Sequence, residues 1–195
     1  NITYNPNPIA YDYTLTQCDE DGIAGGITRV NLSEAANYLT GNRSELRATF
    51  FTDVARASAI SNPAIYAFDA NNPQPIYVKV TNTNTGCFDF SELTLDVSIT
   101  QIPDFTATPL CDELDSEDGI NTFNLDAITD QIQTTNGFNY PITYFETYEE
   151  ALLEKNGLGR LYTNTNHPYL QTLFARIENN NSCYGISKVT LVVHK

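Results

Sequence analysis

The chain has 195 residues, and its 41% hydrophobic content runs throughout, which argues against disorder and allows cores of modest size. Ten Lys and Arg stand against 24 Asp and Glu, for a net charge of −14, which argues against nucleic acid and anionic membrane surfaces as partners. No apolar run is long enough to span a bilayer, and with no Met and no leader segment the chain reads as a mature or excised fragment.

In chain order, Val30-Asn31-Leu32 leads into a short helical segment with Ser33 as candidate N-cap and Ala35, Ala36 and Leu39 behind it. Ala48-Thr49-Phe50-Phe51-Thr52 reads as a strand, and Asp53 to Ala57 as a weak helical turn. Gln74-Pro75 opens an alternating, β-branched and aromatic strand over Ile76–Thr81. A further strand alternates Leu93, Leu95 and Val97 with Thr94, Asp96 and Ser98. A boundary falls near Gln101-Ile102-Pro103, with Pro103 limiting bending. Beyond it, Phe123-Asn124-Leu125 precedes a helix with candidate N-cap Asp126 and with Ile128 and Ile132 on one face. Ile142–Glu146 reads as a strand. Thr147-Tyr148-Glu149-Glu150 is a capping box for a helix through Ala151, Leu152 and Leu153 that Asn156-Gly157 would stop. Val189, Leu191 and Val193 mark the last strand.

The chain says nearly the same thing twice. Cys18-Asp19-Glu20-Asp21-Gly22 is echoed by Cys111-Asp112-Glu113 running on to Asp118-Gly119. Val30-Asn31-Leu32 is echoed by Phe123-Asn124-Leu125, and Tyr77–Asn82 before Cys87 by Phe174–Asn179 before Cys183. Two domains follow, 1–101 and 102–195. Short strands with regular turn signals predict an all-β fold of two tandem immunoglobulin-like sandwiches with short helical insertions, although no Trp marks an antibody-type core. Tandem domains of this size serve as spacers, adhesive modules or binding modules.

Each repeat carries two cysteines at equivalent positions, without the close CxxC pairs of zinc or redox sites. The economical expectation is one disulfide inside each repeat, Cys18–Cys87 and Cys111–Cys183, and hence an oxidising compartment. The competing reading is four buried thiols in a reducing one.

The second repeat runs Leu110-Cys111-Asp112, Asp118-Gly119, Phe123-Asn124-Leu125, Ile142-Thr143-Tyr144-Phe145-Glu146-Thr147, Leu161-Tyr162-Thr163-Asn164, Phe174-Ala175-Arg176-Ile177-Glu178-Asn179 and Cys183-Tyr184. It resembles the tandem repeats of large Bacteroidetes surface proteins, the gliding-motility and type IX secretion cargo adhesins. The first repeat is similar but has drifted; Thr52, for example, stands where the strand Glu is expected. The resemblance implies an extracellular or cell-surface location, outer-membrane anchored or secreted. It also implies a non-catalytic role as spacer, stalk or adhesive segment, with neighbouring repeats of the same chain, surface glycans or other cell-surface proteins as partners.

For a site, the acidic turns after the first cysteine of each copy come first. Asp19 and Asp21 in one, and Asp112, Asp115 and Asp118 in the other, offer oxygens to calcium on a Gly-terminated loop. The bland reading is Asx turns in which Asp caps the backbone. Asp104, beside the linker, is a weaker candidate for an inter-domain ion. The alternative function is a pair of carbohydrate-binding modules, for which Tyr11, Tyr13, Tyr140 and Tyr169, outside the strand signatures, are the side chains to inspect. His167 and His194 lack a counterpart in the first repeat, and no nucleophile motif accompanies them, so no catalytic residue is assigned.

Overall fold

The computed structural model describes residues 5–20, 22–23, 25–112 and 117–195. The chain divides into two compact units, Asn1–Val97 and Ser98–Lys195. The first contains β1 (Tyr13–Cys18), β2 (Ile27–Val30), a 3-10 turn at Leu32–Ala35, α1 (Ala36–Leu39), β3 (Leu46–Phe51), β4 (Tyr66–Asp69), β5 (Ile76–Asn82) and β6 (Phe88–Ser98). Its main sheet has the order β1-β6-β5-β3, and β2 pairs with β4 as a separate ribbon. The second contains β7 (Phe105–Thr106), β8 (Leu110–Cys111), β9 (Thr122–Asn124), α2 (Leu125–Asn136), β10 (Ile142–Phe145), α3 (Tyr148–Leu153), β11 (Leu161–Thr163), β12 (Leu170–Asn179) and β13 (Ser182–His194). Its main sheet runs β10-β12-β13-β7, with β8 also on β13, and β9 pairs with β11. Each unit is an all-β, immunoglobulin-like sandwich of one large sheet and one two-stranded ribbon.

The cores form where strand alternation meets helical spacing. In the first unit Leu15, Val78 and Leu93 from the sheet pack with Val30 from the ribbon and Leu32 and Leu39 from the helical segment. In the second, Leu173, Ala175 and Val189 pack with Phe123, Leu125 and Ile132. Leu32 and Leu125 follow Asn31 and Asn124, and these asparagines cap the helical segments. Each Asn is extended at ψ 94° and 105°, and each side chain accepts the backbone N–H two residues on, from Ser33 and Asp126. Ser33 and Asp126 are therefore inside the first turn, not at the caps. The Asn-Leu pair of both copies is a cap followed by a core anchor.

The capping box at Thr147 forms, with Glu150 N–H donating to Thr147 Oγ1 and Thr147 N–H donating to Glu150 Oε2, both at 3.2 Å. The helix ends earlier than Asn156-Gly157, because Glu154 adopts the left-handed conformation at φ 54°. The first unit has no helix here. Asp53 accepts the amides of Ala57 and Ser58 at 3.1 and 2.8 Å, which closes a turn instead.

That difference decides how each sheet is covered. In the second unit Arg176 on β12 faces away from Ala175 and Ile177, under α3. It is 1% exposed. Its guanidinium pairs with Glu154 at 2.6 Å and Glu178 at 2.8 Å, and donates to the Ala151 and Leu152 carbonyls at 3.2 Å. A helix C-terminus presents unsatisfied carbonyls and partial negative charge, so a cation is suited to it. In the first unit the cation comes from the turn: Arg56 lies 3.9 Å from the Phe90 ring centroid and 5.6 Å from that of Tyr77.

Two buried tyrosines tie the second unit to pH. Burial pushes the Tyr144 phenol up to about 12, aided by the charges of Asp126 and Asp130 and opposed by its hydrogen bond with Thr129. Burial likewise pushes Tyr162 up to about 12, and the Glu146 carboxylate, which accepts its O–H at 3.0 Å, adds to the shift. A raised phenol pKa means the neutral form is favoured by folding, so this stability is complete below about pH 10 and is lost as pH rises towards 12. Thermal melts across pH 9–12 should show a falling midpoint for the second unit, and Tyr144→Phe should flatten the fall. A midpoint independent of pH there would contradict the burial of these hydroxyls.

Candidate functional site: the cysteines at the ends of each repeat

The cysteine pairing differs from the expectation of one bridge within each repeat. Cys18 and Cys183 are disulfide-bonded, and Cys87 and Cys111 carry free thiols. Of four cysteines in the chain, the bond therefore joins Cys18 to Cys183, one from each repeat.

Strand register gives the reason. In the second unit β7 and β8 run parallel to β13, with Val189 opposite Phe105, Val193 opposite Leu110 and His194 opposite Cys111. Cys183 opens the same strand, eleven residues before His194. At ~3.3 Å per residue, Cys111 and Cys183 stand roughly 36 Å apart, while a disulfide needs Cα atoms within about 7 Å. Cys183 is at the near end, where the chain comes into the repeat. There Ile102 and the Thr100 carbonyl press on Gly185 so closely that a Cβ would stand 2.5 and 3.0 Å from them, and Ser187 donates to the Pro103 carbonyl at 2.8 Å. Cys111 is at the far end, where the chain leaves.

The first unit has the same arrangement. Ala10 N–H donates to Asp89 and Glu92 N–H donates to Asp12, at 3.2 and 2.8 Å, so the segment entering β1 advances along β6 in the same sense. Cys87, just before β6, is at the near end, with its Sγ 3.7 Å from the Asn5 carbonyl. Cys18, closing β1, is towards the far end. In both repeats the first cysteine is at the far end and the second at the near end, and neither can reach its own repeat-mate.

The acidic turns have local partners. Asp112 accepts the Gly119 amide at 2.7 Å, Asp118 accepts the Ile120 amide at 2.9 Å, and Asp19 accepts the Glu20 amide at 2.9 Å. Asp21 and Asp115 lie outside the described residues. Among the described residues no group of three or more His, Cys, Asp or Glu is placed to hold a metal.

Around Asp112 the second repeat has a polar knot that sequence reading missed. Asn164, 1% exposed, donates to the Gly119 carbonyl at 2.9 Å and to the His167 carbonyl at 3.1 Å, and accepts the Asn121 amide at 2.7 Å. Tyr169 donates its backbone N–H to the Gly119 carbonyl at 2.8 Å and lays its ring on Gly119. Gly119 has φ +75°, and a Cβ there would stand 2.6–2.7 Å from three Tyr169 ring carbons. Gly119→Ala should cost about 2–3 kcal/mol in urea unfolding, part from the left-handed backbone and part from the ring. In a Tyr169→Ala background the ring's share should vanish. An equal cost in both backgrounds would show the ring to be irrelevant. The register of the two ribbons places Phe68 of the first repeat, 4% exposed and in the core, where the second has Asn164.

The four tyrosines singled out for sugar stacking divide. Tyr169 is occupied at Gly119, and Tyr13 stacks on Tyr38 with centroids 4.4 Å apart. Tyr11 is 48% exposed and lies over Gly41. Tyr140 joins Phe138 and Tyr184 in a half-buried trio with centroids 5.0–5.7 Å apart. His167 pairs through Nδ1 with Gln171 at 3.0 Å. A cleft of about 480 Å³ in the first unit is lined by Ser33, Asn37, Arg43, Arg47 and Phe50, with no acid–base pair in it.

Each repeat is a β-sandwich with one cysteine towards either end of its sheet, and one of the two is disulfide-bonded. The chain belongs to the Flavobacterium inter-domain disulphide bond domain family, whose model matches it twice, at residues 14–103 and 107–195. It is thus a tandem repeat module of Bacteroidetes type. No curated protein matches it. Among solved structures it is similar to the N-terminal Ig1-2 module of the Drosophila receptor protein tyrosine phosphatase DLAR. That match has 8% identity, 97% of each chain covered and a TM-score of 0.27. It is also similar to Drosophila OTK extracellular domains 3–5, at 10% identity, 100% of this chain and 62% of that one, and TM-score 0.23. The titin domains z1z2, solved with telethonin, match at 9% identity, 98% of each chain and TM-score 0.23. At these scores the likeness carries no functional argument.

Proposed function

We propose that the chain is a non-catalytic spacer segment of a bacterial cell-surface adhesin or filament, of the gliding-motility and type IX secretion cargo kind. The observation that carries this reading is the disulfide between Cys18 and Cys183, one cysteine from each repeat. Such a bond ties one repeat covalently to the other. A disulfide also needs an oxidising compartment, in keeping with an extracellular protein. Among the described residues no helix is long and apolar enough to cross a membrane.

The test is a swap in the full-length surface protein on living cells. Replacing these two repeats by an unrelated rigid pair of equal length should preserve attachment, whereas deleting them should shorten reach. Loss of attachment on the swap would mean that the segment itself carries adhesion. The Phe138–Tyr140–Tyr184 trio supports the second reading, a pair of carbohydrate-binding modules. Glycan-array binding lost in Tyr140→Ala would favour it. Calcium at the acidic turns is a further proposal. It predicts a higher melting temperature in millimolar Ca²⁺ than in EDTA, and equal temperatures would end it.

A further inference from the structure

The two repeats treat one sheet face differently. Tyr77–Asn82 of β5 matches Phe174–Asn179 of β12 in sequence, so Lys79 is the counterpart of Arg176. Register agrees: Lys79 stands opposite Phe90 on β6, and Arg176 opposite Ile186 on β13. In the second repeat α3 packs on this face, with Tyr148 edge-on to Phe174 at 5.8 Å between centroids. Arg176 is buried there among Glu154, Glu178 and the α3 carbonyls. The first repeat has no such helix, and Thr81 stands in place of Glu178. Lys79 Nζ lies 4.0 Å from the Phe88 ring centroid, beside Arg56 over Phe90. Phe88 and Phe90 are 40% and 45% exposed, and Val54, on the turn that carries Arg56, is 67% exposed. Among the described residues neither Lys79 nor Arg56 pairs with a carboxylate. Asp53 is turned to the amides of its own turn, and Glu92, opposite Tyr77, bounds the patch.

We propose that this face of the first repeat docks an acidic amphipathic helix of a partner protein, seated as α3 is seated on the second. Apolar side chains exposed together mark a surface that gains from being covered. Covering these takes two cations out of water, which is costly unless the occupant brings negative charge to them. A basic or neutral occupant is disfavoured on that ground, and so is a second copy of the same face, which would set cation against cation. The second repeat shows an occupant that suffices: apolar side chains, a carboxylate at Glu154 and the carbonyls of a helix C-terminus. An amphipathic helix laid on an apolar surface is a recurring mode of peptide recognition. The first repeat thus holds a partner through a face that the second keeps for its own helix.

The probe is a synthetic peptide of the α3 sequence, residues 146–157, stapled on its exposed side to keep it helical. It is titrated into the full, disulfide-bonded chain, and backbone amide shifts are followed. Saturable binding is expected, with shifts centred on Lys79, Phe88 and Phe90 and affinity lowered about tenfold by Lys79→Glu and by Phe90→Ser. A peptide carrying Glu149→Lys and Glu154→Lys should lose binding to the unsubstituted chain and regain part of it on the Lys79→Glu chain. A mere loss of fold would not produce that exchange. No saturable binding at millimolar peptide, or binding unchanged by Lys79→Glu and by the peptide's charge reversal, would overturn the proposal. A dimer of the chain alone in sedimentation, dissociated by Phe90→Ser, would also overturn it by giving the face to a second copy.

Discussion

Pulled from its two ends with the disulfide closed, the chain is expected to extend to no more than ~100 Å, against ~680 Å once the bond is reduced, at ~3.5 Å per extended residue. The difference arises because force reaching Cys18 passes through sulfur to Cys183, and everything between them carries no load. Only residues 1–17 and 184–195 can be drawn out. Force spectroscopy on the tethered chain, with and without reductant, measures this directly. Extension well beyond ~100 Å under oxidising conditions would show that Cys18 and Cys183 are not joined in solution. For a spacer, the consequence is a segment that holds its length after its sandwiches yield.

The second large effect is expected at Arg176. Arg176→Leu should remove about 3–5 kcal/mol from the second repeat in urea unfolding, while the first repeat's transition stays in place. The size follows from what would remain: Glu154 and Glu178, and two carbonyls at the end of α3, without the guanidinium that faces them. Neutralising both acids in the same chain, with Glu154→Gln and Glu178→Gln, should recover part of the loss. A cost below about 1 kcal/mol for Arg176→Leu would place the pairs with ordinary surface salt bridges.

Duplication, strands and core faces were legible in the chain, because alternation such as Val189, Leu191 and Val193 directly encodes which side is buried. The cysteine connectivity was not. Reading it requires that the first and last strands of a repeat run the same way, and parallel pairing between segments eighty residues apart leaves no local mark. Arg176 was hidden for a different reason. An Arg in an alternating strand reads as solvent-facing, and only the helix folded over β12 makes its face a buried one. Asn164 looked like a turn residue and proved to be a buried three-bond anchor. The caps lie two residues before Ser33 and Asp126 because the Asn31 and Asn124 side chains reach forward to those residues' amides.

The parallel seating of β7 and β8 on β13 also bears on how the second repeat fails once its disulfide is gone. Its two ends then part in opposite directions along paired strands, so the strands must slide past one another. Sliding loads the Ala107–Thr190 and Asp112–His194 backbone bonds together, whereas an antiparallel pair pulled from one side would unzip them in turn. The repeat should therefore break late and abruptly, in one cooperative rupture.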